Sequence, residues 1–410
     1  MLANGSWSDF IADFMGFTEG ALSPDIFRLW AGISLVGGAL ERRVWAEAGD
    51  YTTFPNLYVL LVAPPGVGKY IIETTRQLWS ETLEPGTRAK AFHVAPDSMT
   101  KASLMDSLVK AKTTRLTPAG PPATYHSLLV AAEEFSVLLP AYDMEYIGSL
   151  NSIWTNKALH EESRRTGTVR ELSIENPQLN ILGGAAPAWL STIFPEDAWN
   201  TGFGRRVIMI YSSETPVKDI FLKTPNRQAI RQTLLKKLAS FSALYGPAKW
   251  QPEAVDALRA WNLAGRGPEP THSKLVHYKS SRLQLILKLC IISGVSRTGQ
   301  LVMGLEDVRR AQYWLFEAEA LMPDIFRAMM GRSDKQIIDE LYLYTMATWA
   351  RDKQRRGVDG SILRQFLQER IPHDKIESLI QSCERANLLA RVAGTADTWI
   401  PRPRHEHQAE

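Results

Sequence analysis

The sequence has only two cysteines, Cys290 and Cys383, which lie far apart among its 410 residues. This excludes a disulfide scaffold and a multi-cysteine zinc site, and it is typical of proteins in a reducing cytosol. The longest apolar runs are too short to span a bilayer, and the N-terminus lacks a basic region followed by an apolar stretch. We therefore expect a cytoplasmic protein without a signal peptide or a membrane segment.

Motifs that specify several common enzyme classes are also missing. The eight histidines are scattered, and no HExxH, G-x-S-x-G or G-x-G-x-x-G motif occurs in a suitable context. Metalloprotease, hydrolase and dinucleotide-enzyme functions therefore have no support.

The formal net charge of +3 is too small to indicate nucleic-acid binding over the whole surface, so any basic surface must be local. With 45% hydrophobic and 22% charged residues, the chain is ordinary globular material, long enough for about two to four domains.

A strand, a turn and a helix within residues 57–79 predict a phosphate-binding loop. An apolar run from Leu57 leads into Pro-Pro-Gly-Val-Gly-Lys, and Ile71 begins a helix. The glycines let backbone N–H groups face phosphate oxygens, the helix start adds its dipole, and Lys69 supplies a positive charge for the outer phosphates. The ligands expected are ATP and Mg²⁺. The predicted nucleotide-binding residues are Pro65, Gly66, Val67, Gly68, Lys69 and Tyr70.

Two positions depart from the pattern G-x-x-x-x-G-K-[ST]. Ala63 replaces the first glycine, which is a mild change, whereas Tyr70 replaces the Ser or Thr whose hydroxyl binds Mg²⁺. A phenol is too bulky and too remote from its own backbone to take the place of that short hydroxyl. An ordinary strand-to-helix turn or a decayed nucleotide site is therefore the alternative interpretation.

Residues 127–136 predict the acidic half of the same site. An apolar run that ends in Glu133 and Glu134 is typical of a central parallel strand, and ligands bind at the carboxyl end of such strands in open α/β sheets. Glu133 would help to hold Mg²⁺ through a water, and Glu134 would orient the water that attacks the γ-phosphate. The alternative is a pair of solvated acids, but their position after a phosphate loop favours the catalytic interpretation.

A basic hairpin is predicted around the turn Thr166-Gly167-Thr168. Guanidinium groups on a projecting element suit the phosphates of a nucleic-acid backbone. The arginines predicted to contact DNA are Arg164, Arg165 and Arg170. An exposed turn whose arginines pair with Glu161, Glu162 or Glu171 is an equally open alternative.

A second pair of arginines, Arg205 and Arg206, stands between a glycine-rich bend and the apolar strand Val207–Tyr211. An arginine at this end of a core strand, opposite the phosphate loop, can reach the γ-phosphate of a neighbouring subunit as an arginine finger. Arg206 is the first choice and Arg205 the second, and the alternative is a solvated pair. The preceding core strand, which starts at Asn176, ends in small residues, so no nucleotide-sensing polar residue is assigned there.

The order of these motifs resembles that of the AAA+ replication helicases of phages and mobile elements, distant relatives of the minichromosome-maintenance helicases. The matching parts are the phosphate loop at 63–70, Glu133-Glu134-Phe135, the basic hairpin, Asn176-Pro177 and Gly202-Phe203-Gly204-Arg205-Arg206-Val207. The resemblance covers most of residues 5–330. It implies a homo-oligomeric ring, a hexamer, with single-stranded DNA in its central pore, in the cytoplasm of a bacterial host.

The family architecture also implies a helical lid after the last core strand, and residues 217–330 have helical periodicity. By similarity, Arg282 is a candidate sensor arginine that touches the nucleotide from the lid. As a plain residue at a helix start it would have no such role.

The C-terminal region predicts a winged helix, because three helices from Lys335 onward are followed by two strands around a Gly-Thr-Ala-Asp turn. Such modules bind DNA or protein partners, so replication partners are expected there. Elsewhere we expect residues 1–50 to be helical, residues 113–124 to form a surface loop, and the helix from Leu305 to end at Ala328, before a separate helix from Lys335.

These observations predict an α/β fold with a P-loop AAA+ core, divided as an N-terminal helical collar (1–50), the ATPase core (51–215), a helical lid (216–330), a winged helix (331–403) and a disordered tail (404–410). The predicted function is an ATPase that couples hydrolysis to DNA translocation or unwinding. Two alternatives stay open: an ATP-gated helicase loader or initiator with weak hydrolysis, and an AAA+ ATPase that remodels protein.

Overall fold

The computed structural model describes residues 7–96, 98–117, 120–138, 143–166, 168–193, 202–219, 221, 225–352, 356–368, 376–392, 394–395 and 397–402. Of residues 137, 163–171, 191–193, 273 and 330–336 it describes the backbone. The chain divides into two compact units, residues 1–325 and 326–410. The predicted collar, core and most of the lid lie in the first unit, and the predicted winged helix lies in the second.

The helices of the first unit are α1 (Phe10–Phe17), α2 (Asp25–Leu40), α3 (Ile71–Glu81), α4 (Lys101–Lys110), α5 (Met144–Trp154), α6 (Pro187–Ile193), α7 (Arg227–Ala243), α8 (Pro252–Leu263), α9 (Arg282–Thr298) and the first part of α10 (Leu305–Arg351). Its strands are β1 (Val44–Ala48), β2 (Tyr51–Thr53), β3 (Tyr58–Val62), β4 (Lys112–Thr117), β5 (Gly120–Ala132), β6 (Leu159–Thr166), β7 (Thr168–Glu175), β8 (Pro177–Ala185), β9 (Val207–Tyr211), β10 (Gly246–Trp250) and β11 (Val302–Met303). None of the helices among the described residues offers an apolar stretch of membrane-spanning length.

The main sheet has the strand order β4-β5-β8-β3-β9. The four strands from β5 to β9 are parallel, and β4 pairs antiparallel with β5 at the edge. Every residue of β3 and β8 is buried, as expected for central strands that are covered on both faces. Helices pack against this sheet, among them α2, α3 and α5. The predicted mixed α/β fold with a parallel sheet flanked by helices is therefore confirmed.

Helix α2 lies in the centre of the first unit. Apolar and small residues occur all around it, and it is buried along nearly its whole length, which is typical of a helix enclosed by a core. Just beyond it, Arg42 donates hydrogen bonds to the carbonyls of Pro177, at 2.9 Å, and Asn156, at 2.7 Å. The N-terminal region is thus fastened to the amino end of the main sheet.

A second sheet, with the order β11-β10-β1-β2, was not predicted. Residues 44–48 form β1 and residues 51–53 form β2, so the prediction of helix through residue 50 was wrong at its end. Strand β10 lies within residues 217–330, for which only helices were predicted, and it pairs in parallel with β1. A short strand whose partner lies about two hundred residues away leaves no local signal beyond a brief alternation.

The predicted loop at residues 113–124 is also wrong, because residues 113–117 pair antiparallel with residues 120–125 as strands β4 and β5. Proline and threonine suggested a loop, but the prolines of β5 stand in its first residues, where the strand is an edge that has a partner on only one side. The hairpin predicted around residues 166–168 is confirmed: β6 and β7 pair antiparallel, with Arg164 opposite Arg170.

The second unit contains the last part of α10, α11 (Gly360–Gln368), α12 (Ile376–Arg385) and a small antiparallel sheet of β12 (Val358–Asp359), β13 (Leu389–Arg391) and β14 (Thr398–Pro401) in the order β12-β14-β13. Its own hydrophobic core includes Leu341, Leu363, Ile380 and Trp399. The predicted helix break before Ser333 was wrong, because α10 is continuous from Leu305 to Arg351.

Candidate functional site

The predicted phosphate loop follows the carboxyl end of β3 and precedes α3. From β3 the chain passes to β5, returns to β8 beside β3, and then crosses to β9 on the other side of β3. The loop thus leaves the sheet where the strand order reverses, which is where open α/β sheets bind ligands. Its first residue is held in place, since the Ala63 N–H donates to the Ala185 carbonyl at 3.0 Å.

The acidic residues lie at the same edge of the sheet. Lys69 Nζ is 3.6 Å from a carboxylate oxygen of Glu134, and the side chain of Lys69 is only 12% exposed whereas that of Glu134 is 60% exposed. Glu133 is also exposed. The structure therefore brings the predicted lysine and the predicted acids together at the ends of two strands that β8 separates.

Gly184 in β8 makes this close approach possible. A Cβ atom at position 184 would lie 2.1 Å from the Glu133 carbonyl oxygen and 3.1 Å from Cδ of Lys69. The small residues at the end of β8 were noted in the sequence only as lacking a polar group. Their role in the structure is to leave room for the acidic turn and the lysine.

The segment that joins α1 to α2 packs directly on the phosphate loop. A Cβ atom at Gly68 would lie 2.0 Å from the Leu22 carbonyl oxygen. The Leu22 N–H donates a hydrogen bond to the Tyr70 hydroxyl, and Tyr70 is 41% exposed. The hydroxyl that stands at the predicted magnesium-ligand position is thus engaged with the N-terminal segment.

A cavity of about 390 Å³ runs along α3, one to two helical turns beyond the phosphate loop. Its lining combines an aromatic ring with polar groups: Phe17, Thr74, Gln77, Leu78, Arg227, Gln228 and Arg231. The guanidinium of Arg227 lies over the Phe17 ring, 5.0 Å from its centroid. A larger cavity of about 480 Å³, between the β1–β2 turn and helices α8 and α9, contains none of the predicted site residues.

Arg205 and Arg206 lie at the opposite, amino end of the sheet, since Val207 pairs with Tyr58 at the start of β3. Arg206 donates to Asn151 Oδ1 at 3.1 Å, and its guanidinium lies over the Trp154 ring, 5.4 Å from the centroid. Burial, with a smaller contribution from Arg205, lowers the pKa of Arg206 from its ordinary value. Arg205 is exposed. Contact of either arginine with a neighbouring subunit stays a prediction.

Arg282 is fully buried at the start of α9, and each of the three guanidinium nitrogens has a hydrogen-bond partner. It pairs with Glu319, donates to the carbonyls of Arg266 and Pro268 at 2.9 and 2.6 Å, and lies over the Phe316 ring. Through these contacts, Arg282 holds the start of α9 against α10. Contact with a nucleotide stays a prediction.

The predicted DNA-binding arginines, Arg164, Arg165 and Arg170, lie on the paired strands of the β6–β7 hairpin, but their side chains fall outside the described residues. The base of the hairpin is described. There, Lys101 Nζ lies 3.4 Å from a carboxylate oxygen of Glu162, and the side chains of Ser152 and His160 are hydrogen-bonded at 3.3 Å. Burial lowers the pKa of His160 from its ordinary value.

Sequence reasoning missed Leu22, Asn151 and Trp154. Leu22 contributes backbone groups, which no residue type reveals. The contact of Trp154 with Arg206 depends on strand β9, which no local pattern links to α5. No protein-family model matches this chain, and a search of the curated proteins found no similar sequence.

Proposed function

We propose that the site around Lys69 binds and hydrolyses ATP. The observation that carries this proposal is the pairing of Lys69 with Glu134 at 3.6 Å, at the carboxyl edge of a parallel sheet and beside the start of α3. A lysine and an exposed acid beside a helix N-terminus provide the two functions that phosphoryl transfer needs, which are charge stabilisation and orientation of the nucleophile.

Each residue then has a defined task. Backbone N–H groups of the loop that ends at Lys69 would bind the phosphates, and the α3 dipole would favour their negative charge. Lys69 leaves Glu134 to bind the outer phosphates, and the freed carboxylate orients the attacking water. Glu133 fits a role in holding Mg²⁺, because this ion binds through one or two carboxylates together with substrate phosphates and waters, and bound Mg²⁺ would neutralise charge on the phosphates.

The cavity along α3 is suited to the nucleoside. It begins about one helical turn, roughly 6 Å, from Tyr70, and its volume of about 390 Å³ exceeds what a purine and a ribose need. The exposed Arg227 guanidinium, which lies over the buried Phe17 ring, offers a plane on which a base can stack. Thr74 and Gln77 offer hydrogen-bonding groups for the base or the sugar.

We further propose that the protein is a ring-forming ATPase of the AAA+ class that moves along DNA. The order of motifs supports this class, as do the arginines at the sheet edge opposite the phosphate loop and the β6–β7 hairpin with its three arginines. A hexameric ring around single-stranded DNA would place Arg205 or Arg206 against the site of the next subunit. The second unit, with three helical segments and a three-stranded antiparallel sheet, suits a winged helix that binds DNA or a replication partner.

ATP turnover by the full-length protein, with and without single-stranded DNA, tests this proposal. We expect magnesium-dependent hydrolysis that DNA stimulates. Lys69→Ala should abolish ATP binding, whereas Glu134→Gln should abolish hydrolysis and retain binding, since it removes the carboxylate that orients water but frees Lys69. Lys110→Ala, which removes an exposed lysine at the end of α4, is the matched control and should leave both unchanged.

Wild-type protein that neither binds nor hydrolyses ATP with abundant Mg²⁺ would contradict the proposal. ATP turnover that does not change when DNA is added would contradict the proposed movement along DNA, but it would agree with the proposed ATP hydrolysis.

A second function, an ATP-gated loader or initiator with weak hydrolysis, is favoured by one specific observation. The Tyr70 hydroxyl is bonded to Leu22, so the site lacks the short hydroxyl ligand that the usual pattern offers to Mg²⁺. Slow turnover together with tight, nucleotide-dependent binding of DNA or a partner protein would identify this function.

A further inference from the structure

The last turn of α5 is attached to the arginine-bearing end of β9. Arg206 bonds to Asn151 at 3.1 Å and lies over the ring of Trp154, with its guanidinium 5.4 Å from the centroid. The same ring is 4.7 Å from Nζ of Lys288 in α9. Both distances lie within the range of cation–π attraction, and Trp154 is 2% exposed, so one buried ring joins β9, α5 and α9.

Hydrogen bonds fix the same turn to the start of the central strand. The Tyr58 hydroxyl donates to the Leu150 carbonyl at 2.9 Å, and the side-chain amides of Asn56 and Asn156 donate to the Trp154 carbonyl at 3.4 and 3.1 Å. The two bonds to Trp154 satisfy a carbonyl that a helix C-terminus leaves without a partner in the helix. The turn therefore has one defined position while Arg206 is docked on it.

The β6–β7 hairpin begins directly after this turn. Strand β6 starts at Leu159, and the Asn176 N–H at the end of β7 donates to the Ala158 carbonyl at 2.7 Å. Ser152 of α5 is bonded to His160 of β6 at 3.3 Å. A shift of the α5 turn must consequently move the base of the hairpin.

We propose that the last turn of α5 couples Arg206 to the β6–β7 hairpin, with Asn151 and Trp154 as positioning residues. This inference rests on the proposed function. Arg206 donates to Asn151 through Nη1, so a phosphate held by another subunit would compete for the same guanidinium, and engagement of the neighbour's nucleotide would undock it. Undocking removes two contacts from the α5 turn, and the hairpin changes its hold on DNA. Docked and undocked Arg206 are the two discrete states that coupling between distant sites needs.

The test measures the affinity of the full-length protein for a fluorescent single-stranded oligonucleotide, with and without a non-hydrolysable ATP analogue. The analogue should change the DNA Kd of wild type by about fivefold or more, and of Asn151→Ala and Trp154→Leu by less than about twofold. The Kd for the analogue itself should not rise in either variant, because neither side chain lies at the nucleotide site and loss of the dock lowers the cost of moving Arg206. Trp154→Phe, which keeps an aromatic ring, should retain most of the effect, and Ser149→Ala, on the same helix but away from Arg206, is the matched control.

A double-mutant cycle tests whether the contact between Arg206 and Asn151 carries the coupling. In an Arg206→Ala background, Asn151→Ala should produce no further change in the analogue effect, because both substitutions remove the same contact. The inference would be overturned if Asn151→Ala and Arg206→Ala changed the analogue effect additively. It would also be overturned if the analogue changed the DNA Kd of Asn151→Ala as much as that of wild type. Because Asn151 is only partly buried, we expect Asn151→Ala to fold. This variant therefore tests the inference even if Trp154→Leu does not fold. Wild-type protein that fails to bind ATP or DNA would instead contradict the proposed function.

Discussion

Tyr70 stands where the usual motif has a magnesium ligand, and it also makes a structural contact with the N-terminal segment. It is the last residue before α3, where the usual pattern has a short hydroxyl for Mg²⁺. Its own hydroxyl lies at the far end of a phenol ring and accepts a hydrogen bond from the Leu22 backbone. The residue therefore ties the α1–α2 segment to the phosphate loop, and the substitution has a structural reason that the motif comparison did not reveal.

Substitutions at Tyr70 separate its structural contact with Leu22 from the binding of Mg²⁺. Tyr70→Phe removes the acceptor for Leu22 and should lower the free energy of unfolding by about 1 kcal/mol or less. Tyr70→Thr loses the same hydrogen bond but adds a short hydroxyl beside the phosphates, so it should raise magnesium-dependent ATP turnover. Urea unfolding and turnover over a magnesium titration measure these effects. Equal turnover in the two variants would show that Mg²⁺ is held without a hydroxyl at this position.

The elements that carry the site meet through very close backbone contacts. The ends of β5 and β8 approach so closely that a methyl group at Gly184 would overlap the Glu133 carbonyl. The acidic turn, the lysine and the strand end therefore depend on a residue without a side chain. Helix α5, in contrast, carries Gly148 at a place where an added Cβ would meet no atom within 4 Å.

These two glycines make a matched pair of tests. Gly184→Ala should lower the free energy of unfolding by about 1–3 kcal/mol, because the backbone must shift, and should also reduce ATP turnover. Gly148→Ala should raise the free energy of unfolding by about 0.5–1 kcal/mol, because glycine is a poor residue inside a helix. Thermal or urea unfolding measures both changes. An unaffected Gly184→Ala protein would show that the β5 and β8 ends are not packed as described.

At the scale of the whole molecule, the arginines and the phosphate loop lie at opposite ends of one sheet. The strand β3 that separates them spans five residues, about 16 Å. An arginine at its amino end cannot reach a phosphate at its carboxyl end within the same chain. If Arg205 or Arg206 takes part in hydrolysis, the assembly must place it at a neighbour's site.

Mixing inactive variants tests this arrangement. Lys69→Ala and the double variant Arg205→Ala/Arg206→Ala should each lack turnover, and a mixture of the two should regain part of it. In the mixture, some sites combine an intact Lys69 with intact arginines from the adjacent subunit. A mixture of Lys69→Ala and Glu134→Gln should stay inactive as the control, because these two residues belong to one site. A mixture of the first pair that assembles but stays inactive would contradict action in trans.

Local patterns in the sequence were sufficient for several elements. The apolar run before Ala63 with its glycine-bearing turn, the run that ends in Glu133, the β6–β7 hairpin and helices α7, α8 and α9 all follow from periodicity and turn residues that lie next to each other in the chain. These signals do not depend on where the segments meet. The lengths of the apolar runs likewise agree with the helices of the described residues, none of which has an apolar stretch of membrane-spanning length.

Tertiary packing decided the rest. The second sheet joins strands about two hundred residues apart, the Tyr70 hydroxyl bonds to a backbone group of the N-terminal segment, and Arg206 docks on α5. A backbone donor such as that of Leu22 is present at nearly every position, so no residue type marks it. The sequence by itself determined which segments carry phosphate-binding and acidic residues, whereas only the folded chain decided that Lys69 and Glu134 meet, since their separation depends on strand order and on the space left by Gly184.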